Sequence, residues 1–181
     1  MTCYQLMAKI FGVLIFSLST ALLSFAQDFP KTEVFAGYSY VRMSVAQNYH
    51  QNFSGWNGSL AFNPNRWVGV VADFSGHYSS DSLSNYSFLV GPRFTYRTQS
   101  RITPFAHALA GVAREGEGTV SLNGPEGRTY RTGIAYAFGG GVDAAVTERI
   151  AVRVIQLDYF DQDAMFYRNG PRISTGFVFR F

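Results

Sequence analysis

The sequence predicts an all-β protein: an eight-stranded antiparallel up-and-down transmembrane β-barrel, preceded by a cleaved signal peptide. Three observations carry that expectation. The chain closes on an alternating strand in which Ile173, Thr175, Phe177, Phe179 and Phe181 share one face, while Arg172, Ser174, Gly176 and Arg180 share the other. A barrel in a bilayer needs a greasy outside and tolerates a polar inside, whereas a soluble chain gains little by ending on an exposed Phe. The N-terminus reads as an export signal. Aromatic residues make up 17% of the chain beside 18 glycines, yet beyond the signal no stretch has a convincing 3.6-residue period.

Residues 1–26 form the expected signal peptide. Lys9 supplies the positive charge, Ile10 to Leu23 the apolar run, and Ser24-Phe25-Ala26 a small-x-small cleavage site that leaves Gln27 as the mature start. The polar breaks at Ser17, Ser19 and Thr20 argue against a retained membrane helix. Removing 26 of 181 residues leaves 155, one barrel domain over 27–181. The single cysteine, Cys3, precedes the apolar run and leaves with the signal. It is therefore not placed as a lipoprotein cysteine, and disulfides, thiol catalysis and Cys-ligated metals are excluded. Full-chain charge is 15 basic against 12 acidic residues; losing Lys9 leaves 14 against 12, an excess too weak to imply a nucleic-acid partner.

Eight strands are predicted, near 32–43, 54–64, 66–77, 84–97, 102–114, 132–146, 149–160 and 171–181. Each is about the length a tilted strand needs to cross an outer membrane. In the second, Trp56, Gly58, Leu60 and Phe62 oppose Asn57, Ser59 and Asn63. In the third, Val68, Val70, Ala72 and Phe74 oppose Gly69, Asp73 and Ser75; in the fourth, Tyr86, Phe88, Val90, Phe94 and Tyr96 oppose Ser87, Gly91, Arg93 and Thr95. The sixth sets Ile134, Tyr136, Phe138, Val142 and Val146 against small residues and Asp143. The fifth is less regular, and Pro104 suits a strand end better than a centre. In the seventh, Arg153 falls on the opposite parity to Gln156 and Asp158, so a bulge or a snorkelling Arg is expected there. Connections after the second, fourth and sixth strands are short. The others (44–53, 78–83, 115–131 and 161–170) read as longer polar loops, the asymmetry of periplasmic turns and extracellular loops. An even strand number puts both termini on the short-turn side.

On Val34-Phe35-Ala36-Gly37-Tyr38-Ser39-Tyr40, Ala72-Asp73-Phe74-Ser75-Gly76 and Gly176-Phe177-Val178-Phe179-Arg180-Phe181, the chain resembles the small outer-membrane β-barrel family of the OmpA transmembrane domain and OmpX. The resemblance covers essentially the whole mature chain, and its motifs specify a fold more than an activity. It implies the cell outer membrane of a Gram-negative-type bacterium, with outer-membrane lipid and lipopolysaccharide as partners. It also implies that the C-terminal strand resembles the signal read by the barrel-assembly machinery, a role that falls to Phe177, Phe179 and Phe181. The peptidoglycan-binding domain of full OmpA-type proteins is not expected here, nor is tethering to the cell wall.

The lumenal charges expected from parity are Glu33, Asp73, Arg93, Asp143, Asp158, Arg172 and Arg180. An eight-stranded lumen is narrow and filled by side chains, so these charges are expected to pair into a network that plugs and rigidifies the barrel. Opening of such pairs would instead make a small passive channel of porin type. His77 with Ser79, Ser80 and Asp81 at the outer rim has the residue types of a base, nucleophile and acid, the pattern of an outer-leaflet lipid-modifying enzyme. Ordinary turn-forming residues account for the same stretch. His107 is expected to pack or face the lumen. With no second His nearby no metal site is expected, and no cofactor. Gly139-Gly140-Gly141 lacks the helix and Lys-Ser/Thr of a phosphate loop and reads as tight backbone approach. Tyr38, Tyr40, Trp56, Trp67, Tyr86, Tyr96, Tyr136 and Tyr159 are expected as interfacial aromatics. The loop 115–131 is the expected place for an extracellular ligand. The role expected is non-enzymatic, a monomer acting in structure or surface interaction. A soluble lipocalin-like barrel would place apolar residues inside and polar ones outside, against the observed mixture of Phe and Tyr opposite Asp and Arg.

Overall fold

A computed structural model describes residues 29–45, 49–79, 83–119, 127–163 and 169–181. The expected signal peptide lies outside them. Eight strands form one closed barrel in chain order: β1 Thr32–Val45, β2 Tyr49–Phe62, β3 Val68–Tyr78, β4 Leu83–Thr95, β5 Ile102–Thr119, β6 Gly127–Ala145, β7 Ile150–Gln162 and β8 Asn169–Arg180. Every neighbouring pair is antiparallel, and β1 closes on β8 through Glu33 opposite Arg180 and Val41 opposite Arg172. The seam is finished by two backbone bonds: Thr32 donates to the Phe181 carbonyl (3.1 Å), and Phe181 donates to that of Thr32 (2.8 Å). Closure leaves no open sheet edge, which a strand protein in lipid requires.

Period-2 alternation explains the wall. Along β8, Arg172, Ser174 and Val178 are buried while Ile173, Thr175, Phe177 and Phe179 are exposed. Around the barrel the exposed set is largely Phe, Tyr, Trp, Val, Ile and Leu; Phe94 and Tyr96 are 60% and 61% exposed. A soluble monomer does not present so continuous an apolar surface, and a lipid-facing wall does. Phe74 and Phe88 meet across β3 and β4 with ring centroids 4.7 Å apart. Trp56 lies flat over Gly76 on the next strand, where a Cβ would come 2.7 Å from the indole nitrogen.

The turns at the terminal end are closed by side chains. Asn65 Oδ1 accepts from the Trp67 and Val68 amides (2.9 and 2.8 Å). Thr98 Oγ1 accepts from the Ser100 amide (3.2 Å), Ser100 Oγ from the Ile102 amide (3.1 Å) and Thr147 Oγ1 from the Ile150 amide (3.0 Å). Such side-chain acceptors replace ladder partners where the chain reverses.

At the opposite end the structure corrects the expected loops. The stretch expected as the loop 115–131 is mostly wall: β5 continues to Thr119 and β6 begins at Gly127, in register to Thr119 opposite Gly127. Likewise β2 starts at Tyr49, paired with Val45, so β1 and β2 together take up most of the expected loop 44–53. β7 and β8 similarly shorten the loop expected over 161–170. The asymmetry between the two ends therefore resides in hairpins that extend the wall rather than in long unpaired loops. Pairing beyond the bilayer needs no apolar outer face, so the extension of β5 and β6 carries exposed Glu117 and Arg131 and reads as polar loop in the sequence.

Two register shifts mark bulges, between Val142 and Asp143 against β7 and between Arg153 and Gln156 against β8. Val154 and Ile155 are consecutive yet both exposed, while Arg153 and Gln156 on either side are buried. The bulge resets the parity of β7, so both polar side chains point inward.

Candidate functional site

The lumen is filled in layers. Nearest the termini, the Glu33 carboxylate is approached by Arg93 (3.1 Å), Arg97 (3.2 Å) and Arg180 (3.3 Å). Arg93 also reaches Asp143 at 3.2 Å, and Asp143 accepts from Arg153 Nε at 2.8 Å. Two guanidinium groups lie over the Phe105 ring, Arg93 at 4.2 Å and Arg153 at 4.3 Å from its centroid, and Arg153 also lies 4.2 Å from the Phe35 ring centroid. Desolvated cation–π contacts of this kind add to the ion pairs and hold the planar groups in place.

The next layer centres on Asp158. It accepts from Arg172 Nε and Nη2 (2.9 and 2.7 Å) and from Gln156 Nε2 (2.7 Å), and its other oxygen lies 2.8 Å from His107 Nε2. Arg172, wholly buried, turns its remaining nitrogen to Asp73 (2.9 Å), which also accepts from Asn57 (2.9 Å). Gly139 lies opposite both His107 and Asp158, and a Cβ there would collide with the Asp158 carboxylate. Gly139 thus leaves space for this layer, and Gly141 for the Phe105 ring. Beyond it lies an apolar layer including Val41, Met43, Phe53, Leu89, Leu109 and Phe160. Gln162, Glu115 and Asn85 follow, with Asn85 donating to Gln162 (2.8 Å) and Gln162 to Glu115.

All eight strands supply this network: Glu33 from β1, Asn57 from β2, Asp73 from β3, Arg93 from β4, His107 from β5, Asp143 from β6, Arg153, Gln156 and Asp158 from β7, and Arg172 and Arg180 from β8. The contacts run unbroken from Glu33 through Arg93, Asp143, Arg153, Gln156, Asp158 and Arg172 to Asp73 and Asn57. Every lumenal charge expected from parity lies inside the barrel. Parity alone did not reach Arg153, because the bulge breaks it between Arg153 and Gln156. Arg97 shares the parity of Arg93, and extending that alternation by one step into the turn finds it.

His77 corrects the rim expectation. It is buried, with Nε2 2.9 Å from Ser39 Oγ, and Ser39 in turn accepts from Ser174 (2.9 Å). Ser79 accepts from Gln51 instead, and Ser80 and Asp81 lie outside the described residues. Among the described residues the hydroxyl that His77 meets is that of Ser39 in the lumen, not that of Ser79. Among the described residues no group of three or more His, Cys, Asp or Glu is placed to hold a metal ion.

Of the expected interfacial aromatics, Tyr38, Trp56, Trp67, Tyr86, Tyr96, Tyr136 and Tyr159 are exposed on the outer wall, and Tyr40 is half-buried there. Tyr38 donates to Ser54 (2.9 Å), Tyr40 to Asn52 (2.8 Å), and the Tyr78 and Tyr86 hydroxyls meet at 3.0 Å. Phe177, Phe179 and Phe181 point outward beside the closing seam.

No protein-family model and no curated protein matches the chain. Solved structures do. The chain is similar to Neisserial surface protein A at 18% identity and a TM-score of 0.68, with 86% of this chain and 100% of that one covered. It is similar to the outer-membrane protein OprG of Pseudomonas aeruginosa at 10% identity and 0.62, covering 84% and 96%. It is also similar to Ail, the attachment invasion locus protein of Yersinia pestis, solved in complex with the heparin analogue sucrose octasulfate, at 19% identity and 0.58, covering 82% and 97%. The chain has the fold of these small outer-membrane β-barrels.

Proposed function

We propose that this chain is an integral outer-membrane barrel with a plugged lumen, serving structure or surface interaction at its hairpin end rather than catalysis. The observation that carries the proposal is the unbroken polar network drawn from all eight strands. A lumen crossed by paired, buried arginines and carboxylates is a strut, and separating those pairs in low dielectric is costly. The apolar wall and the shared fold support the membrane setting, with export through the signal peptide and both termini periplasmic. The monomer fits because closure uses every strand edge.

At the hairpin end, Arg42 and Arg114 are exposed on the outer wall, and Arg114 stacks 4.3 Å over the Tyr130 ring. Exposed guanidinium groups among tyrosines suit lipopolysaccharide phosphates or another anionic surface ligand. Ail, of the same fold, takes a sulfated one.

Single-channel recording on residues 27–181 in a planar bilayer tests the plug. Silence from protein shown to be inserted is the expected result, and discrete, reproducible steps absent from a boiled control would replace the plug with a channel.

The outward Phe177, Phe179 and Phe181 are assigned as the strand read by the assembly machinery. Phe181→Ser is expected to slow insertion into vesicles that carry that machinery. Unassisted folding into thin short-chain vesicles should be unchanged. Equal slowing in both would reduce Phe181 to a packing residue.

A further inference from the structure

The turns at the terminal end carry cations that the lumen does not use. Arg66, Arg101 and Arg149 sit one in each turn and Lys31 precedes β1. All four are exposed, and none enters an ion pair among the described residues. Glu148 is the one exposed carboxylate among the described residues of those turns. Beside Arg66, on the outer wall, lies an open groove of about 390 Å³ lined by Trp67, Phe94, Tyr96, Pro104 and Ala106. It forms because Pro104 and Ala106 are short next to the rings of Trp67 and Tyr96, whose centroids are 5.6 Å apart. Arg66 is held at its edge: its guanidinium carbon lies 5.0 Å from the Trp67 ring centroid, and Nη2 donates to the Arg97 carbonyl (3.2 Å).

We infer that this groove is a site for an anionic phospholipid of the periplasmic leaflet, with an acyl chain along Trp67, Phe94 and Tyr96 and the headgroup phosphate on Arg66, aided by Arg101. An apolar cleft with a fixed cation at its mouth matches an amphiphile whose charge is negative. A soluble anion would leave the cleft unused, and the surplus of cations around the turns disfavours a zwitterionic headgroup. The inference rests on the membrane-spanning reading.

The test uses the only other tryptophan as the one to remove. Trp56→Phe leaves Trp67 as the sole indole, and its fluorescence is quenched by lipids brominated near the headgroup end of the acyl chain. In phosphatidylcholine vesicles containing equal small fractions of brominated phosphatidylglycerol or brominated phosphatidylcholine, the anionic lipid is expected to win by about fivefold for each arginine engaged. The preference should fall in Arg66→Gln, fall further with Arg101→Gln, and shrink in high salt. Equal quenching by the two lipids, or a preference that survives both substitutions, overturns the inference and leaves the barrel reading standing. Absence of quenching by either lipid removes the lipid-facing wall itself, and the inference with it. Quenching by both that rises as protein is diluted would show a second copy in the groove, and would also overturn it.

Discussion

Arg172→Met is expected to destabilise the folded barrel by about 3–5 kcal/mol, read as a shift in urea midpoint for protein folded in vesicles. Arg172 is wholly buried and joins Asp73 on β3 to Asp158 on β7. Removing the guanidinium leaves two buried carboxylates without their cation. Much of the loss is therefore the penalty of those orphaned charges rather than the worth of the bridge. A second variant separates the two. Arg172→Met combined with Asp73→Asn and Asp158→Asn removes the charge from both sides, and it should be less destabilised than the single change. Residues in one network are not additive, and here the non-additivity has a predicted sign. If Arg172→Met instead unfolds at the wild-type urea concentration, that layer is wet, and the lumen is better described as a channel with movable pairs. The same variant recorded in a planar bilayer would then conduct.

Most of the wall was legible in the sequence because its two sides face different solvents. Lipid outside and a packed polar lumen inside impose a period of two on every strand. Alternation alone thus places Trp56, Leu60, Phe74, Phe88, Phe138 and Phe177 outward, and Glu33, Asp73, Arg93, Asp143, Asp158 and Arg172 inward, as the structure has them. Legibility ended where that contrast ends. Past the bilayer both faces of a strand are polar, so Glu115, buried against Gln162, reads as loop. At the β7 bulge the period breaks, and Arg153 looks misplaced although it is a centre of the lumen, held by Asp143, Gln156, Phe35 and Phe105. Which carboxylate meets which guanidinium was out of reach for another reason. Alternation fixes the side of the sheet, whereas pairing across the lumen depends on the stagger of all eight strands, a property of the closed barrel. Glu33 and Arg93 are 60 residues apart in the chain and 3.1 Å apart in space.

The outward set makes the last prediction, and depth is its variable. Phe74 sits near the middle of β3, packed on Phe88 and facing out. Tyr96 also faces out, but follows β4 at the turn end. Phe74→Arg is expected to lower stability by about 2–4 kcal/mol, and Tyr96→Arg by no more than about 1 kcal/mol, because the cost of a cation on a barrel's lipid face falls from the midplane to the interface. Reversible urea titration in vesicles, followed by tryptophan fluorescence, reads both. A soluble barrel would show no such gradient, since an arginine in water is harmless at either position and would relieve an exposed apolar patch. Equal small effects at the two sites would therefore remove the bilayer from around this wall, and with it the reason for its many outward Phe, Tyr and Val residues. A steep gradient would locate the midplane on β3. Taken with the lumenal result at Arg172, it would show that one set of alternating residues answers to lipid and the other to a dry ionic core.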